Sequence, residues 1–190
     1  LTFAHALRSF LRQDPDTLMV GEIRDLETAK IAIQAAQTGH LVLTTLHTND
    51  APGAITRLVD MGVEPYLIAS SLEAVLAQRL IRTLCPSCKL EYAPEKTIID
   101  QLYEEPVSTR KNFYKTGGCP KCHQLGYKGR KGLFELMDMD DSIRTMILEQ
   151  SPSMLLKERS IELGMRTLRQ SGIEAIESGQ TTVEEVLTYT

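Results

Sequence analysis

The sequence predicts an α/β fold with parallel strands, on three observations. Short apolar runs alternate with helical stretches through the first third of the chain. Polar residues crowd just past the ends of those runs, where open α/β sheets place their sites. After Leu84 the texture changes, first to a segment holding all four cysteines and a cluster of glycines, then to a helical tail.

Taken in order, Phe3, Ala6, Leu7, Phe10 and Leu11 recur at three- and four-residue spacing and predict a helix over 3–12. Pro15 in Gln13–Asp16 breaks it, because the residue before proline avoids helical angles. Thr17–Gly21 is a short apolar run of buried-strand length. Asp25 can cap a helix running to Gly39, with Glu27 at its positive end. His40–His47 reads as a second strand, apolar first and polar last. A helix from about Pro52 stops at Gly62. Glu64–Leu84 reads as one helical region or two short ones, and Gly132–Met139 as a returning strand. Everything from Asp140 onward reads helical, with Ile143, Met146, Ile147 and Leu148 spaced for core packing. Thr181 with Glu184, and Thr182 with Glu185, have capping-box spacing. The expected division is 1–84, 85–132 and 133–190.

The bulk numbers narrow the function classes. The chain has 190 residues, 42% of them hydrophobic and 24% charged, which suits a folded globular protein. A net charge of -4 does not advertise nucleic-acid binding. No run of 18 apolar residues occurs, so no membrane-spanning helix is expected. The opening residues make a poor signal peptide. Leu1 begins inside a helical pattern, which reads as the interior of a longer chain.

The cysteines form two brackets, Cys85-Pro-Ser-Cys88 and Cys119-Pro-Lys-Cys122, thirty residues apart. Each spacing lets a tight turn aim two sulfurs at one ion. Four thiolates around zinc make a closed structural site that lends folding energy to a segment with little core of its own. Two disulfides, a redox pair or an iron–sulfur cluster are the alternatives. His123 is expected to face solvent or stand behind the ligands. Lys128–Gly132 reads as a basic loop, either an ordinary surface turn or a contact for an acidic partner.

Glu22 stands just past the first strand. An acid there is how many ATPases place the carboxylate that orients water or magnesium, although many surface loops carry one too. Arg24 and Asp25 could simply pair with each other. Past the second strand lie Thr44, Thr45, His47, Thr48 and Asn49, which can form a site or cap the next helix. His40 poses the same choice, and His5 is expected on a helix surface. Arg8 and Arg12, four apart on one helix face, and Arg79 and Arg82, three apart on another, are candidates for pairing phosphates.

Together, "LRQDPDTLMVGEIRD", "TGHLVLTTLHTND", the two cysteine brackets, "GYKGRKGLFEL" and the tail "GMRTLRQSGIEAIESGQTTVEEVLTYT" resemble the ATPases of type II secretion and type IV pilus assembly, in that family's order. The resemblance implies a partial RecA-like P-loop NTPase core with an inserted tetracysteine zinc module and a C-terminal helical region. It makes "LMVGEIRD" the Walker B region with Glu22 as the catalytic carboxylate. It makes the second stretch the His box, with His40 and His47 near the nucleotide. Arg8 and Arg12 become candidates for nucleotide contact. It implies structural zinc at Cys85, Cys88, Cys119 and Cys122, with ATP and magnesium used by the parent protein. The implied assembly is a homo-hexamer at the cytoplasmic face of the inner membrane. Its implied partners are a membrane platform protein and a cytoplasmic-domain partner, with no nucleic acid.

The implied function is a motor for type II secretion. A pilus-extension motor and a non-catalytic zinc-bearing scaffold are the alternatives. No G-x-x-x-x-G-K-[ST] loop occurs in these residues, so the 190 residues alone are expected to show little or no ATPase activity.

Overall fold

The computed structural model describes residues 3–13, 15–103 and 112–190. Asp14, part of the expected break, and the side chain of Phe3 lie outside them. The elements run α1 (Phe3–Phe10), a 3-10 turn (Leu11–Gln13), β1 (Thr17–Val20), α2 (Leu26–Gln37), β2 (Leu41–Thr44), α3 (Ala51–Asp60) and α4 (Pro65–Ser71). Then come β3 (Ala74–Leu84), β4 (Leu90–Tyr92), α5 (Lys96–Leu102), β5 (Phe113–Lys115) and a second 3-10 turn (Pro120–Cys122). The chain ends with β6 (Tyr127–Asp138), α6 (Asp141–Leu148), α7 (Ser153–Glu162), α8 (Leu168–Glu177) and α9 (Val183–Tyr189). The fold class is α/β, as the sequence predicts. Among the described residues no helix is long and apolar enough to cross a membrane.

Two compact units form. The first takes the described residues up to Leu76 with Leu136–Met165; the second takes those of Ala77–Glu135 with Arg166–Thr190. In the first unit β1 and β2 pair in parallel, Thr17 opposite Leu41 through Val20 opposite Thr44. β1 alternates, with Leu18 and Val20 turned into the core and Met19 outward, so the run expected to be buried is buried on one face only. Val20, Ala29, Ile68, Ile143 and Leu156 belong to that unit's core. Asp25 caps α2 by accepting from the Thr28 N–H at 2.8 Å, and Asp50 caps α3 by accepting from that of Gly53. Gly39 and Gly62 end those helices at φ +101° and +92°, angles that suit glycine. Ile143 and Ile147 of α6 are buried, while Leu148 is exposed.

Three expectations are corrected. Ala74–Leu84, read as helical, is the strand β3, paired with β6, so Arg79 and Arg82 share no helix face and alternate across the strand. Its apolar residues fit a 3.6-residue period, but the ladder with β6 satisfies its backbone and Ile81 packs with Leu133, so tertiary pairing overrides local pattern. β6 begins at Tyr127 rather than Gly132, so Lys128–Gly132 lies on a strand and not in a loop. Arg12 lies in the 3-10 turn after α1, so it does not share a helix face with Arg8.

In the second unit, Leu102 and Phe113 from within the inter-cysteine segment pack with Ile176, Val183 and Val186 of α8 and α9. A complete capping box starts α8, with Thr167 and Gln170 exchanging side chain and backbone contacts. Gly172 sits inside α8, where glycine ordinarily costs about 1 kcal/mol against alanine. Its place is set by α9, because an added Cβ would come within 2.4 Å of Val186 Cγ1. Gly172→Ala is therefore expected to destabilise, by about 1–2 kcal/mol once the helix-propensity gain is set against the overlap. Urea unfolding checks this, and a neutral or stabilised variant would show that α9 yields.

Candidate functional site

The carboxylate site is built on the ends of β1 and β2. Beyond the strands, the Ile23 N–H donates to the Thr45 carbonyl at 3.1 Å, and the Thr45 hydroxyl donates to the Gly21 carbonyl at 2.5 Å. The backbone on both sides of Glu22 is thereby tied to the β2 extension. The carboxylate is only 20% exposed, and both of its oxygens are occupied. Oε1 lies 2.8 Å from His47 Nε2, and Oε2 accepts from Arg24 Nε at 2.6 Å. His47 is 86% exposed and Arg24 77%. A recessed acid thus has two solvent-reaching partners.

Of the residues singled out in the sequence, the structure joins Glu22 and His47. His40 lies before β2 and His47 beyond its end, so they flank opposite ends of the strand. His40 Nδ1 is 2.9 Å from the Ala35 carbonyl and 3.1 Å from the Thr38 hydroxyl, contacts that tie it to the end of α2. Arg8 pairs with Glu27 of α2 at 2.9 Å, both exposed, and Arg12 is exposed. The alternative of an Arg24–Asp25 pair is not taken: Arg24 turns back to Glu22, and Asp25 is the α2 cap. That cap holds the Asp25 carboxyl below its ordinary value, chiefly through the Thr28 backbone N–H. Arg24 is the residue sequence reading missed. The signal for it was its position two residues after an acid at a strand end.

The second cluster is the four cysteines, whose sulfurs all lie within 4.8 Å of one another. All four are free thiols. Cys85 and Cys119 are 3.9 Å apart, Cys88 and Cys122 3.7 Å, Cys119 and Cys122 3.7 Å. A disulfide needs about 2.0 Å, whereas four sulfurs about 2.3 Å from a central zinc would stand about 3.8 Å apart. Backbone N–H groups of Gly118 and Gly126 donate to the sulfurs of Cys88 and Cys122, each at 3.3 Å, as thiolate ligands require of their surroundings. Burial pushes the Cys122 thiol up, but donation from the Cys119 and Gly126 N–H groups outweighs it and brings it down to about 6. Burial takes Cys88 up to about 11. The donor set fits a metal ion. His123 is exposed, as expected.

With the geometry in place, residues 1–188 match the family model described as Type II/IV secretion system protein. The chain belongs to that family. Over its whole length it is 50% identical, across 193 residues, to the type II secretion system ATPase E of Vibrio cholerae, covering 37% of that protein. It is 52% identical, across 191 residues, to the type IV pilus assembly ATPase PilB of Thermus thermophilus, covering 22% of it. The crystal structure of the pilus retraction motor PilT with bound ADP superposes on the whole chain with a TM-score of 0.69 at 29% identity, covering 43% of that chain. The chain therefore spans between about a fifth and just over two fifths of the length of these relatives.

Proposed function

We propose that this chain contributes the water-orienting half of the nucleotide site in an ATP-hydrolysing motor subunit for type II protein secretion. The observation that carries the reading is the Glu22–His47 contact of 2.8 Å at the ends of parallel strands, in a chain of this family. On this reading Glu22 orients the attacking water and accepts its proton, and His47 stands where it can follow the state of the terminal phosphate. His40, Arg8 and Arg12 are assigned to nucleotide contact from further out. ATP and Mg2+ bind in the full-length protein, and Zn2+ is held by Cys85, Cys88, Cys119 and Cys122 as a structural ion.

Residues 1–84 then form the back of the ATPase core, 85–132 the zinc module, and 133–190 the last core strand and helical region. The assembly is a homo-hexamer working on a platform protein at the cytoplasmic face of the inner membrane. Pilus assembly is the second reading, supported by relatives named for each machine at 50% and 52% identity.

The test is steady-state ATP hydrolysis by the full-length protein and its Glu22→Gln variant. The expected result is a fall in kcat of at least about 100-fold with ATP binding kept. A variant that hydrolyses at the parent rate would remove Glu22 from the chemistry. A folded, assembled parent that neither binds nor hydrolyses ATP would move the protein to the scaffold reading.

A further inference from the structure

We propose that Arg24 is a positioning residue for Glu22. It holds Oε2 so that, with His47 on Oε1, the plane of the carboxylate is fixed toward the attacking water. The inference rests on the reading of Glu22 as the catalytic carboxylate. The last torsion of a glutamate side chain is broad and soft, so a carboxylate held at one oxygen still pivots. Here two contacts on different oxygens, 2.6 Å from Arg24 Nε and 2.8 Å from His47 Nε2, remove that freedom. Each oxygen keeps further acceptor capacity, so the clamp leaves room to take a proton from water.

The backbone under the clamp is also fixed. Ile23, just before Arg24, is bonded to Thr45, and Asp25, just after it, is the α2 cap. Arg24 therefore reaches Glu22 from a rigid base rather than from a loose loop. A role in folding explains the contact poorly, because Arg24 is 77% exposed and such exposed pairs contribute little to stability. Its neighbouring acid, Asp25, would have been the nearer partner, yet that carboxylate is engaged at the helix start and the guanidinium is left for Glu22.

The experiment compares full-length wild type, Arg24→Ala, Arg24→Lys, Glu22→Asp and the Glu22→Asp/Arg24→Ala double variant. For each, kcat, the KM for ATP and the melting temperature are measured. Arg24→Ala is expected to lower kcat about tenfold with KM and melting unchanged, since small misplacements of a reacting group are costly. Arg24→Lys should recover part of the rate, because an ammonium restores charge but not the planar contact. Glu22→Asp draws the carboxylate back by one methylene. In that background Arg24→Ala should cost no more than about twofold, because the two residues act as one unit.

Full kcat in Arg24→Ala would overturn the inference while leaving Glu22's role standing. So would a raised KM at unchanged kcat, or an equal tenfold loss in the Glu22→Asp background, since either would make Arg24 act independently of Glu22. Failure of the underlying reading shows separately, as full activity in Glu22→Gln.

Discussion

Replacing Cys85 and Cys119 together by serine will abolish metal binding and unfold the segment between the two cysteine pairs. In that segment, among the described residues, Leu102 and Phe113 are the buried hydrophobics apart from the cysteines themselves. Both lean on Ile176, Val183 and Val186 from α8 and α9, and the strands β4 and β5 are three residues each. So small a core cannot offset the entropy of ordering the segment. A structural zinc site contributes on the order of 10 kcal/mol in small modules that fold around it. Losing two of four ligands forfeits most of that. On the proposed zinc reading, metal analysis should fall from about one zinc per chain to none. Limited proteolysis should open the stretch between Cys88 and Cys119. A variant that keeps its metal and melts unchanged would refute the assignment, and a chelator on the wild type provides the same test without substitution.

How far the sequence disclosed this molecule depended on whether a feature was local. The Asp25 cap, the glycine stops at Gly39 and Gly62 and the two cysteine brackets are each written within a few residues, and each stands where expected. Glu22 and His47 were both visible as polar residues past strand ends. Their mutual contact follows from the parallel register of β1 and β2, which no local pattern encodes. β3 was misread because Ala74–Leu84 satisfies a helical period as well as a strand one, and its partner β6 lies more than forty residues on. Gly172 carries no local signal, and Glu185 reads as a capping-box acid; the partners that set both, Val186 and Arg82, come from elsewhere in the chain. The family resemblance supplied the expected order of motifs, but not the turn of Arg24 onto Glu22.

Glu185 also carries the second large effect, with the larger cost expected when its partner is removed. The Glu185 side chain is 4% exposed and Arg82 57%. Glu185 Oε1 accepts from Arg82 Nε at 2.8 Å and from its terminal nitrogen, and Oε2 accepts from the Arg82 backbone N–H at 2.9 Å. The guanidinium lies 4.1 Å from the centroid of the Tyr127 ring, and the Thr181 hydroxyl donates to the Arg82 carbonyl at 2.8 Å. The acid expected to complete a capping box at Thr182 is thus spent on β3, while Thr182 still accepts the Glu185 N–H.

Arg82→Ala removes the guanidinium donors from a buried carboxylate that keeps only the backbone N–H of residue 82 from this partner, at a cost of about 3 kcal/mol. Glu185→Gln leaves an arginine that can turn to water, so its cost should be smaller, about 1–2 kcal/mol. Burial raises the Glu185 carboxyl, but the donations from Arg82 outweigh it, so the folded value lies below the ordinary 4.5. A depressed carboxyl stabilises the folded state above its unfolded value and loses that contribution as pH falls through the folded value. The stability gap between wild type and Arg82→Ala should therefore be full at pH 7 and shrink as pH falls below 4.5. Urea unfolding at both ends of that range checks the sign. A gap that stays constant would mean that Tyr127 packing rather than the buried ion pair holds Arg82 in place, and a Glu185→Gln variant less stable than Arg82→Ala would mean that the carboxylate's bond to the β3 backbone, not the guanidinium, carries the contact.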